Sequence, residues 1–110
     1  MNPPDQKGGS RRQNDRATEI VAREAALFIM REAGTESLIT VIGAKSMAHG
    51  DQIGVFVSVF PEDKARAAMS FLERQRQAFS EHLKSHTRLR IPRVDFLLEN
   101  GEHSGGPGGN

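Results

Sequence analysis

The stretch "QIGVFVSVF", Gln52 to Phe60, sets Ile53, Val55, Val57 and Val59 against Gly54, Phe56, Ser58 and Phe60. A period of two, with β-branched residues filling one register, predicts a strand with one buried face. The rest of the fold must supply what covers that face. Upstream, "SLITVIGA", Ser37 to Ala44, is short and β-branched and predicts a partner strand. The intervening "KSMAHGD" is long for a tight turn and predicts a hairpin with a mobile loop over residues 45–51.

Downstream, "PEDKARAAMSFLERQRQAFSEHLKSH" changes to helical spacing, with Ala65, Ala68, Met69, Leu72, Phe79 and Leu83 marking the stripe that faces the core. Acidic residues at its front complement the positive end of a helix dipole. Arg76 falls on the stripe between Leu72 and Phe79, which predicts a bend or change of face near Gln75 to Ala78. "IPRVDFLLE" then alternates Val94, Phe96 and Leu98 as a third strand. Before the first strand, Ile20, Val21, Ala25, Leu27, Phe28 and Met30 recur at helical spacing, with cap oxygens at Asn14 and Asp15 and a stop at Gly34.

The predicted order is therefore α-β-β-α-kink-α-β. It implies an α+β fold in which helices cover one face of a small three-stranded mixed sheet. The order is that of a type II KH domain, here without the Gly-x-x-Gly loop by which such domains clamp a nucleotide backbone. Residues 1–14, rich in Pro, Gly and polar groups, and 101–110, rich in Gly, are expected to be disordered and to flank a single domain over 15–100.

Composition narrows the function. The chain has 110 residues, no cysteine, and a net charge of +1. No disulfide or thiolate chemistry is available to it, no apolar run approaches membrane-spanning length, and no global field draws it to polyanions. A soluble cytoplasmic protein is the expectation. Positive charge is nevertheless concentrated locally: Arg74, Arg76, Lys84, Arg88, Arg90 and Arg93 face only Glu73, Glu81 and Asp95, an excess of three. Phosphate contact is the natural use of such a cluster, against the plainer reading of a solvated face. Arg76 is also able to lay its stem over the core with its head in water.

Other candidates are weaker. His49 beside Asp51 has no nucleophile or orienting group and reads as a solvated loop. His82 and His86 have a metal-capable i, i+4 spacing, but no HExxH motif or further ligand, and read as part of a partly exposed basic face. Arg11 and Arg12 read as solubilising. No metal, cofactor or small-molecule substrate is expected.

Three blocks, "RATEIVAREAALFIMRE", "IGVFVSVFPED" and "AFSEHLKSHTRLRIPRVDFLLE", resemble the ribosome-binding factor A family of bacteria over roughly residues 16–102. The resemblance implies a KH-like fold with an Ala-centred kink, at Ala78, in place of the Gly-rich loop. It also implies a non-enzymatic role in maturation of the small ribosomal subunit and processing of its 16S rRNA. Arg74, Arg76, Lys84, Arg88 and Arg90 match the positions where that family presents basic side chains to RNA, and Arg93 extends the cluster. The partners implied are the small subunit and its rRNA, met by a monomer. The alternative from another class is a small α+β protein-interaction domain with no RNA role, using a strand edge or an exposed Phe.

Overall fold

The computed structural model describes residues 3–90 and 93–100, with side chains from Arg16 onward. Its elements run α1 (Pro3–Glu32), β1 (Leu38–Met47), β2 (Gln52–Phe60), α2 (Ala65–His86) and β3 (Val94–Leu98), with short 3-10 turns at Ala48–Gly50 and Glu62–Lys64. The strands form one sheet in the order β1-β2-β3, with β1 antiparallel and β3 parallel to β2. The mixed α+β architecture expected from the sequence is the one found.

Strand β2 lies in the middle and its alternation is realised. Ile53, Val55, Val57 and Val59 are buried on the face that the helices cover. Val21, Ala25, Phe28 and Ile29 of α1 meet them from one side, and Leu72, Phe79 and Leu83 of α2 from the other. Phe79 is the hub, with ring centroids 5.2 Å from Phe28 and 5.6 Å from Phe96 of β3. Both contacts are tilted, the arrangement that aromatic quadrupoles favour. The opposite face has its own constraint at Gly54, where a Cβ would stand 2.7 Å from Met47 Sδ and 2.9 Å from Leu97 Cδ1. Any larger residue there would push the ends of those two side chains aside.

Helix α1 differs from expectation at both its start and its face. It begins at Pro3, so helical backbone occupies residues 3–14 where a disordered leader was expected, and Asn14 and Asp15 lie inside the helix. Proline suits a first helical position, and Gln6, Lys7, Arg11, Arg12 and Gln13 favour helix against the opposing preference of Gly8 and Gly9. The buried stripe runs through positions 21, 25, 28 and 29, which leaves Leu27 and Met30 exposed and brings in Ile29. The expected disordered tail, 101–110, lies outside the described residues.

The hairpin loop is shorter than expected. β1 extends to Met47, so only Ala48–Asp51 connect the two strands. Ala48, His49 and Gly50 take φ of 52°, 56° and 93°, a run of left-handed backbone that reverses the chain within four residues. A register shift between Val41 and Gly43 leaves Ile42 unpaired as a bulge.

Helix α2 is continuous from Ala65 to His86, and the break expected at Ala78 is absent. Ala68, Leu72, Phe79 and Leu83 already follow one helical stripe, so no change of face is required. Ala78 itself is exposed and, as alanine, favours helix.

Beyond β3, the side chain of Asn100 prolongs the sheet. Its Oδ1 accepts from Val59 N–H at 2.8 Å and its Nδ2 donates to Val59 O at 3.4 Å, so one amide replaces a strand residue where β3 has ended.

Two measurements check this arrangement. Ala78→Pro removes an N–H and clashes with the preceding turn, so urea unfolding is expected to show a loss of ~3 kcal/mol or more; full stability would mean that α2 is already broken there. Asn100→Ala strands both polar groups of Val59 and is expected to cost about 1–3 kcal/mol, with Asn100→Asp intermediate because the acceptor survives.

Candidate nucleic-acid interface

The six cations singled out in the sequence do not form one surface. Arg76 lies on the inner stripe of α2, one turn from Leu72, and reaches toward β3. Its Nε stands 3.7 Å from Asp95 Oδ1 and 3.4 Å from Glu73 Oε2, shielded from water and without a formed hydrogen bond, so attraction to the two carboxylates must offset its burial. Arg93 donates from Nε to Asp95 Oδ2 at 2.7 Å. Gln52, at the start of β2, donates a short hydrogen bond to the same carboxylate.

Asp95 is thus the collecting point of this edge. Partial burial pushes its pKa up, but hydrogen bonds from Arg93 and Gln52, with the charges of Arg93 and Arg76, outweigh burial and hold it below the ordinary value. Arg93 is correspondingly raised, chiefly by its hydrogen bond to Asp95. The structure therefore places Arg76 and Arg93 in an ion cluster at the α2–β3 edge with Asp95 and Glu73, which together carry no net charge, with Arg93 and Glu73 on its exposed rim.

Among the described residues Arg74, Lys84, Arg88 and Arg90 form no ion pair, and all four are exposed. Against them in this part of the chain stands only Glu81, which accepts from Gln77. The local positive excess is therefore carried by these four alone. Arg74 sits ten residues before Lys84 on α2, about 15 Å along the axis, and lines a cleft with Lys64. Lys84, Arg88 and Arg90 are consecutive around the end of the helix.

That end is built locally. Thr87 leaves the helix in extended backbone, its N–H bonded to Leu83 O at 2.9 Å and its hydroxyl donating to Leu83 O at 2.8 Å. The same hydroxyl accepts from Leu89 N–H at 3.2 Å. Leu89 packs against the core, so alternation turns Arg88 and Arg90 outward together. Hydroxyl capping after "KSH" and one apolar residue between two arginines are the signals that could have separated this pair from Arg76 and Arg93.

The histidines belong elsewhere. His82 Nε2 is 2.8 Å from Glu24 Oε1, and its ring stacks on Phe79 within the helix-helix contact, so it joins α2 to α1 rather than contributing to an exposed basic face. His86 stacks on it at 4.1 Å. His49 and Asp51, on the hairpin turn, form no hydrogen bond with one another. Among the described residues, no group of three His, Cys, Asp or Glu side chains is placed to hold a metal ion, and no helix is long and apolar enough to cross a membrane.

No protein-family model matches the chain, and no curated protein matches it.

Because the folded pKa of Asp95 lies below its unfolded value, its contribution to stability is complete above roughly pH 4 and is lost as pH falls through the lowered value. Asp95→Asn is expected to reduce stability at neutral pH and to flatten its decline on acidification, read from urea midpoints between neutrality and strong acid. An unchanged acid profile would show that Asp95 is not the charge that holds this edge.

Proposed function

We propose that this protein is a non-catalytic RNA-binding factor of the ribosome-binding factor A kind, acting in the cytoplasm as a monomer on the small ribosomal subunit during its maturation and rRNA processing. The observation that carries the reading is the division of charge: Arg76 and Arg93 are paired with Asp95 and Glu73, while Arg74, Lys84, Arg88 and Arg90 are exposed and without ion pairs among the described residues. Exposed cations on a helix end and the segment that follows are suited to phosphate oxygens, which need charge and position rather than a pocket.

The KH-like reading is supported by the element order and by a mixed sheet in which β2 and β3 run parallel. With α2 unbroken at Ala78, the contact surface shifts from a helix-kink-helix edge to the last turn of α2 and the stretch Thr87–Arg90. Recognition there is of RNA backbone and shape, since the chain has no Trp or Tyr and no Phe lies between Lys84 and Arg90. Tighter binding to an immature rRNA conformation than to the mature one would shift the RNA toward the productive fold, with release when that difference reverses.

The test is co-sedimentation with purified small subunits of the chain carrying Lys84→Ala, Arg88→Ala and Arg90→Ala. Binding is expected to fall at least tenfold, with an unfolding midpoint within a few degrees of the parent. Unchanged binding would overturn the RNA reading in favour of a protein-interaction domain.

A further inference from the structure

The outer edge of β1 is unpaired among the described residues, since β1 bonds only to β2. Natural edge strands are blunted by charge, proline or bulges. Here the bulge at Ile42 and the charge at Lys45 protect only the second half, and Leu38–Val41 carries neither. Beside this half runs a groove of about 320 Å³ between β1 and α1, walled by Ile29, Met30, Ala33, Leu38, Ile39 and Val41. Met30 is 76% and Leu38 65% exposed, so the apolar wall faces water.

At the Leu38 end the groove continues, through Ala33, Gly34, Ser37 and Ile39, into a cleft of about 500 Å³ floored by Ala67, Ala68 and Phe71. Among the described residues Lys64 and Arg74 stand on it without ion pairs, and Glu36 is the one acidic residue lining it. The surface is thus apolar along the strand edge and positive at one end.

We propose that this edge and groove bind an extended peptide segment of another protein, apolar at alternate positions and acidic in side chain at its C-terminal end. Alternating N–H and C=O groups along an open edge are matched by a peptide backbone and not by a nucleic acid. Antiparallel pairing with β1 puts one set of alternate side chains into the groove and carries the peptide's C-terminal residues past Leu38 to Lys64 and Arg74. The site shares Arg74 with the RNA-binding set but includes none of Lys84, Arg88 and Arg90, so Lys64→Glu and Met30→Glu test it apart from the RNA reading.

The probe is a fluorescein-labelled synthetic peptide of three valines alternating with threonines, followed by two glutamates, titrated with the full chain and read by polarisation. Saturable binding is expected, at least tenfold weaker when the glutamates are replaced by lysines, when alternate peptide amides are N-methylated, or when the chain carries Lys64→Glu or Met30→Glu. Both substituted residues are exposed, so the fold is retained. Absence of saturable binding, or binding indifferent to N-methylation and to Lys64→Glu, would overturn the proposal. So would concentration-dependent dimerisation abolished by Met30→Glu, which would give the edge to a second copy.

Discussion

Burial of one face of β2 is the constraint on which the remaining structure depends. Ile53, Val55, Val57 and Val59 present a continuous branched surface that neither strand neighbour can cover, because β1 and β3 lie beside it and not over it. Two helices must therefore meet above the sheet. Phe79 makes that meeting specific by touching Phe28 of α1 and Phe96 of β3 at once, and the hydrogen-bonded pair Glu24 and His82 fastens the same contact at its rim. A continuous α2 fits this geometry, since Ala68, Leu72, Phe79 and Leu83 lie in line along one face and are all buried.

That continuity determines what the charged residues can do. Arg76, held on the inner stripe, cannot face outward without leaving its place over the sheet, and Asp95 at the start of β3 receives it together with Arg93. The fold thus sorts one basic stretch of sequence into a carboxylate-paired cluster at the α2–β3 edge and an unpaired set available to a partner. Alternation around Leu89 then sets Arg88 and Arg90 side by side on the solvent face.

Much of this was legible in the sequence because it is local. The limits of β2 coincide with those read from its alternation, and Leu72, Phe79 and Leu83 are buried as their spacing required. What could not be read was non-local. Nothing in the spacing of Arg76 and Asp95, or of Glu24 and His82, says that helix packing brings them together. Arg76 on an apolar stripe suggested a kink; the physical answer was a carboxylate from another element. The Asn100 amide was invisible for the same reason, because its partner, Val59, lies on a strand 41 residues earlier. The hairpin was misjudged because three consecutive left-handed residues, two of them not glycine, carry no strong sequence signal.

The central claim is that Arg74, Lys84, Arg88 and Arg90 meet RNA phosphates while Arg76 and Arg93 do not. The most direct measurement is the affinity of the intact chain for small-subunit rRNA as a function of salt. Four phosphate contacts predict a slope of log affinity against log salt of about −3, unchanged by Arg93→Ala and smaller by about one for each of Arg88→Ala and Arg90→Ala. A slope near zero, or one that Arg93→Ala reduces as much as Arg88→Ala does, would contradict the account.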